Sequence, residues 1–350
     1  MTPTKQTKVV SLGNLLDTPF PPRSYLLYPV LRNAESMMVW AAPGVGKTMW
    51  ALSAALAMAG GGSFLGWEAE RPFKVLYIDG EMPEQDLRDR LAMLIEAVPG
   101  IDREEARKNL KLMAKQAQEP GAYFPELSDE DNWPLLSNML RERAYDIVIL
   151  DNLSTLAFLD DENSSAAVNP VIKFLSEMKQ SGIACIVIHH SNKNGKDYRG
   201  SSNLATTFEI IVGLTKVSDL LETTDGAAFK IEFQKKRNLT GALDLDNRIA
   251  RLVHDDATGT TCWTIEASAD ETLKAICAVI QSGKVKMQKE IAEYLPEKYW
   301  PKESRPSEKW ISNKVAEIRA KGMMTQDQIR EAFDAAKDAE QGTLDHDEDF

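Results

Sequence analysis

Cysteine is scarce: Cys185, Cys262 and Cys277 are the only three in 350 residues, and no two are close in sequence. An odd, scattered set provides neither a disulfide framework nor the paired spacing of a structural zinc site. A reducing, cytoplasmic setting is therefore expected. Long apolar runs are scarce too. The stretch from Met49 to Trp67 carries no charge and has the length of a membrane span, but Gly60, Gly61 and Gly62 interrupt it. The first residues lack the charged-then-apolar order of a secretory signal, and no membrane association is expected. Positive charge is in deficit: the net charge of −12 argues against a protein that coats nucleic acid indiscriminately. No internal repeat is present, which argues against a repeat array.

What is present is ordinary globular composition, 43% hydrophobic and 27% charged, in a chain long enough for about two domains. Charge is segregated along it. Lys284 to Lys321 holds ten Lys/Arg against six Glu, a net of +4, while Gly322 to Phe350 holds two Lys/Arg against nine Asp/Glu, a net of −7. A modestly basic module is thus followed by an acidic tail.

Residues 1–35 are Pro-rich and read as an irregular, extended N-terminal arm ("TPFPPRSYLLYP"). Strand-like runs "SMMVW", "KVLYIDG", "YDIVILD" and "GIACIVIHH" then alternate with helical patterns over Thr48–Met58, Glu84–Ala97 and Ala166–Gln180. That alternation predicts an α/β fold, a mostly parallel sheet covered by helices. Beyond Gly200, "IIVGLTKV", "AAFKIEFQKKR" and "TTCWTIEA" predict antiparallel strands extending the sheet, so the main domain is expected over residues 36–268. Three short amphipathic segments follow over residues 269–324. Their apolar faces are Leu273/Ile276/Ile280, Met287/Ile291/Leu295 and Ile311/Val315/Ile318, and they read as a small winged helix-turn-helix-like domain. Its third helix would present Ser307, Lys309, Ser312 and Asn313 outward, to DNA or to a docking protein. Residues 325–350 read as a disordered acidic tail.

The main chemical signal is "AAPGVGKT", from Ala41 through Ala42, Pro43, Gly44, Val45, Gly46 and Lys47 to Thr48. A loop between strand and helix surrounds phosphates with backbone N–H groups and a helix N-terminus. Gly44 and Gly46 supply permissive backbone, Lys47 neutralises β- and γ-phosphates, and the Thr48 hydroxyl can ligate Mg²⁺. Ala41 replaces the first Gly of the strict pattern. ATP and Mg²⁺ are the expected substrate and metal. Two strand ends compete for the metal-binding acid: Asp79 and Glu81 after the first strand beyond the loop, and Asp151 after a later one. Asp151 is assigned to Mg²⁺ and Glu81 to the general base that polarises the attacking water. "GEMPEQ" also reads as a helix start, which would make Glu81 a helix N-terminal carboxylate.

A phosphate loop, then strands ending in Glu, in Asp and in His-His ("IVIHHSNK"), resembles the RecA-like ATPases, and among them the RepA-type hexameric helicases of plasmids and phages. A more distant similarity is to DnaB-type helicases. The resemblance spans about Ser36 to Gly241. It implies a homohexamer that moves along single-stranded DNA in replication, with any primase, loader or single-stranded-DNA-binding protein a separate chain. It implies that His189 senses the γ-phosphate and that Arg90 is the family's Arg nine residues beyond the catalytic Glu. It also implies that Lys193, Lys196 and Arg199 in the following loop face DNA. "KKRN" is similar to the segment that supplies trans fingers in DnaB-type enzymes, so Arg237, supported by Lys235, is the expected finger. Glu209 stands where RepA-type enzymes carry theirs. A recombinase or recombination mediator on the same fold, and an ATP-switched regulatory or scaffold protein, are the competing readings. The C-terminal Asp/Glu run ending in Phe350 is similar to the partner-recruiting tips of bacterial single-stranded-DNA-binding proteins, or is a solvating tail.

Overall fold

The computed structural model describes residues 7–157, 167–192, 194–195, 197–199, 202–217, 227–237, 247–255, 259–267, 269–297, 300, 302 and 305–347. The chain opens with α1 (Leu12–Asp17) and the β1–β2 pair (Tyr25–Leu27, Leu31–Arg32), then β3 (Ser36–Ala41) and α2 (Lys47–Gly60). The β4–β5 pair (Ser63–Phe64, Trp67–Glu68) leads to β6 (Val75–Asp79), α3 (Glu84–Ala97), α4 (Arg103–Asn109) and β7 (Leu110–Ala114). Next come α5 (Trp133–Glu142), β8 (Ile147–Asp151), α6 (Leu153–Leu156), α7 (Asn169–Gln180) and β9 (Ala184–His190). After α8 (Ser202–Thr207) and β10 (Ile210–Lys216), β11 (Ala228–Lys236), β12 (Arg248–Asp255) and β13 (Thr260–Ala267) complete the sheet. The chain ends with α9 (Ala269–Gln281), a 3₁₀ turn at Gln288–Tyr294, α10 (Glu308–Ala320) and α11 (Gln326–Asp347).

Nine strands form one sheet in the order β13-β12-β11-β10-β3-β9-β8-β6-β7. From β10 to β7 all pairs are parallel, and β11 to β13 add antiparallel strands at the β10 edge. This is the expected RecA-like α/β core, with β7 an additional parallel strand at the far edge. The first strand after the phosphate loop's helix in sequence that joins this sheet, β6, is not next to β3; β9 and β8 lie between them. Parallel strands buried on both faces are apolar throughout, which is why β3, β8 and β9 read as continuous runs.

Helices α2, α3 and α4 cover one face, and α5, α6, α7 and α8 contribute to the cluster on the other. Twelve of the fourteen α2 residues are buried. The antiparallel extension curls back over this helix: Trp263 Nε1 on β13 donates to Ser53 Oγ at 2.9 Å, and its ring lies 5.4 Å from Phe64 and 5.6 Å from Phe229. A helix enclosed on all sides must be apolar on all sides. That accounts for the uncharged run of membrane-span length, and among the described residues no helix is long and apolar enough to cross a membrane.

Two expectations about boundaries need correction. The N-terminal arm is not irregular throughout: Leu26, Leu27, Val30 and Leu31 are fully buried in the main core, because the β1–β2 pair docks beside β5 through the Tyr28–Glu68 bridge. The acidic segment from residue 325 is helix rather than disordered chain over most of its length. Ile329 is buried and, with Ala332 and Phe333 packed beside it, joins the C-terminal cluster that also holds Leu273, Ile276, Ile311 and Ile318; Ala336 is buried as well. That apolar stripe offsets the ordering cost which the acidic composition hides. The 3₁₀ turn at Gln288–Tyr294 replaces the expected middle helix, and among the described residues no strand follows β13, so the module lacks a β-wing there. Ser307, Lys309, Ser312 and Asn313 are exposed on α10, as expected.

Candidate functional site

Ligands on open α/β sheets bind beyond the carboxyl ends of the strands. Here register brings the chemistry together: His190 is paired with Ala41, and Asp79 with Asp151. Ala41 is buried at the end of β3, and Ala42 to Gly46 turn into α2 with Gly44 at φ 76° and Gly46 at φ 115°. A Cβ on Gly46 would lie 2.7 Å from the Ala227 side chain, so glycine is required there for space as well as conformation. Pro43 and Gly44 are exposed, whereas Val45 is buried and anchors the loop.

Lys47 is buried, and its Nζ donates to the carbonyls of Ala41 (3.1 Å) and Ala42 (3.2 Å). Burial lowers its pKa, while Asp151 and Glu81 act in the opposite sense. Thr48 Oγ1 donates to Asp151 Oδ2 at 2.9 Å, and the same oxygen accepts from the Tyr77 hydroxyl at 2.6 Å. Burial raises the Asp151 pKa to about 6; the hydrogen bonds from Tyr77 and Thr48 oppose the rise, and the nearby Asp79 and Glu81 carboxylates add to it. A buried carboxylate crowded by like charge, bonded to a hydroxyl at the first turn of a phosphate-loop helix, suits a divalent cation. Thr48 and Asp151 thus fit Mg²⁺.

The two acids after β6 have different tasks. Asp79 is buried, and its Oδ1 accepts from the backbone N–H of Glu81 (2.8 Å) and Met82 (2.6 Å), so it shapes the turn. Burial raises its pKa, and Arg90, half-buried on α3, partly offsets this. Glu81 is half-exposed, and its Oε1 accepts from Asn152 Nδ2 at 2.7 Å. Of the two acids it is the exposed one.

The two adjacent histidines lie on opposite faces of the sheet. His189 faces the side of the sheet opposite α2, is 1% exposed, and its Nε2 bonds the Arg199 carbonyl at 2.7 Å. Burial lowers its pKa to about 4, so it is neutral at pH 7, and its Nδ1 has no hydrogen-bond partner. His189 thus ties the end of β9 to the following hairpin. His190 shares the α2 side with Ile186 and Ile188, and its Nε2 lies 4.0 Å from Glu81 Oε1. The hairpin closes through the Ser191–Tyr198 bridge and the Asn192 N–H to Asp197 carbonyl bond of 2.8 Å. Arg199 is exposed at its base, and Lys193 and Lys196 lie outside the described residues.

Arg237 and Lys235 sit at the opposite end of the sheet. Ile210, at the start of β10, pairs with both Lys236 and Met37, whereas the phosphate loop leaves β3 after Ala41. Four to five residues of strand, about 15 Å at ~3.3 Å per residue, separate the two ends. These cations cannot reach their own chain's phosphate loop. Arg237 bonds the Thr206 carbonyl (3.2 Å) and lies 3.8 Å from Glu209, and Lys235 donates to the carbonyls of Ala205 (2.7 Å) and Thr206 (3.3 Å). Tyr77, Asn152 and His190 were missed as site residues. A lone Tyr in an aliphatic strand and an Asn directly after the metal acid were the available signals.

The AAA domain family (AAA_25) matches residues 2–196. No curated protein matches the sequence. A KaiC-like protein from the hyperthermophilic archaeon Pyrococcus horikoshii OT3 is similar in structure at 13% identity and a TM-score of 0.46, over 68% of this chain and 93% of that one.

Proposed function

The chain belongs to the AAA_25 family of RecA-like P-loop ATPases, the family of the RepA-type helicases, and from that premise we propose that it is a cytoplasmic replicative helicase of a plasmid, phage or mobile element. It assembles as a homohexamer and couples ATP hydrolysis to movement on single-stranded DNA. The loop from Ala41 to Thr48 wraps the phosphates, and Lys47 leaves the loop carbonyls to bind β- and γ-phosphate oxygens. Mg²⁺, held by Thr48 and Asp151, neutralises phosphate charge when bound. Glu81, oriented by Asn152, accepts the proton of the attacking water, and His190 beside it responds to the γ-phosphate. Arg237 and Lys235 act on a neighbour's nucleotide. Arg199, with Lys193 and Lys196, grips DNA phosphates.

The observation that carries this reading is the separation of parts. One end of the sheet holds the phosphate loop, Asp151 and Glu81, and Lys235 and Arg237 stand at the other end, away from their own chain's loop, which supports their use by another copy. The test is ATP turnover with and without single-stranded DNA, together with strand displacement from a forked duplex. Stimulation with displacement is the expected result. Stimulation with strand pairing and no displacement would make the protein a recombinase, and turnover indifferent to DNA would make it a switch or scaffold.

A further inference from the structure

The last carbonyls of a helix lack intrahelical donors, and cations gather there. The C-terminus of α8 collects three. Lys179 donates to the Thr207 carbonyl, Lys235 to those of Ala205 and Thr206, and Arg237 to that of Thr206. One carboxylate serves the cluster: Glu209, 11% exposed, holds Lys179 at 2.9 Å and Arg237 at 3.8 Å. Glu209 is itself fixed to the start of β3, its Oε2 accepting from the Ser36 N–H at 2.8 Å and its own N–H donating to the Ser36 carbonyl at 3.0 Å. Its carbonyl accepts from the Arg237 N–H at 2.7 Å.

The other end of the same segment is tied to the nucleotide side. His189 holds the Arg199 carbonyl, and the Arg199 N–H donates to the His190 carbonyl at 3.0 Å. Residues 200–201 lie outside the described residues; α8 follows them, with Leu204 and Phe208 buried against the sheet, and leads to the start of β10. The segment thus runs from the hairpin beside the nucleotide to the cations at the opposite sheet end.

We propose that α8 is a lever and Glu209 a positioning residue: together they park Lys235 and Arg237 on this chain until a pull on the hairpin shifts α8 and frees them for a neighbouring copy's nucleotide. The inference rests on the motor reading above. Arg237 donates to the Thr206 carbonyl and lies 3.8 Å from Glu209, so in the proposed device a reach toward a neighbour's phosphate competes with these contacts. DNA held by one chain then sets the hydrolysis rate in the next.

Two variants test this, each measured as ATP turnover without and with saturating single-stranded DNA. Glu209→Gln retains the oxygen that accepts from Ser36 but removes the charge that holds Arg237. DNA-free turnover is expected to rise about two- to fivefold, the equivalent of one ion pair, with DNA-saturated turnover within about twofold of the unaltered chain. Asn203→Gly combined with Thr206→Gly softens α8 at two exposed positions; it is expected to retain DNA binding and to lose most of the stimulation. Equal thermal midpoints for the Gln variant and the unaltered chain exclude a folding defect as the source of the rise. Unaltered stimulation ratios in both variants would overturn the lever while leaving the motor reading standing. Absence of stimulation in the unaltered chain would overturn both.

Discussion

Two side-chain clusters at opposite ends of the parallel sheet carry opposite excesses of charge. At the carboxyl end Asp79, Glu81 and Asp151 stand near Lys47 and Arg90, three acids to two cations. At the amino end Lys179, Lys235 and Arg237 surround Glu209, three cations to one acid. Each end is unbalanced alone, and the two are complementary. A head-to-tail contact between identical chains repeats the same pairing at every interface and closes into a ring where the rotation permits.

The largest expected effect sharpens that contrast. Arg237→Ala should lower turnover on the order of 10³-fold, as removal of a trans finger does, with nucleotide affinity nearly intact in a direct binding measurement. Lys47→Ala should cost on the order of 10²–10³-fold in turnover and, unlike the first variant, should also weaken nucleotide binding. If both variants lose affinity alike, the two ends are not functionally distinct.

A third expectation concerns the acid-rich end alone. The folded-state pKa of Asp151, about 6, lies above the ordinary value of 3.8. Its contribution to stability is therefore present below about pH 4 and lost as pH rises through about 6, so the ionised group opposes folding at neutral pH. Without metal and nucleotide, Asp151→Asn should raise stability at pH 8 by up to about 3 kcal/mol and by little at pH 4. A calorimetric scan at the two pH values checks this. The smallest effect expected is from Tyr77→Phe, which removes one donor from the Asp151 oxygen; the Mg²⁺ concentration giving half-maximal turnover should rise about tenfold.

The sequence made some of this legible and hid the rest for physical reasons. The phosphate loop is a local pattern, and Asp151 ends an unbroken apolar strand, so both were readable. The histidine assignment was not, because "ACIVIHH" is apolar on both faces, and the alternation that tells one face from the other is missing in a fully buried strand. Spatial strand order was equally hidden: nothing in the spacing reveals that β9 and β8 insert between β3 and β6. Glu209 read only as a missing finger, since its partners Lys179 and Arg237 come from distant elements. In α11 acidic composition outweighed the Ile329, Ala332 and Phe333 stripe that packs it against the C-terminal cluster.

The central claim is that Lys47 works in a site completed by a second copy. The most direct measurement mixes Arg237→Ala chains with Glu81→Gln chains at graded ratios and follows ATP turnover with single-stranded DNA. Each variant alone is nearly inactive, and the mixture should recover activity that peaks near equal amounts, where random assembly gives about a quarter of interfaces an intact base and an intact finger. Mixed assemblies that form, as shown by their mass, yet recover no turnover at any ratio would contradict the account.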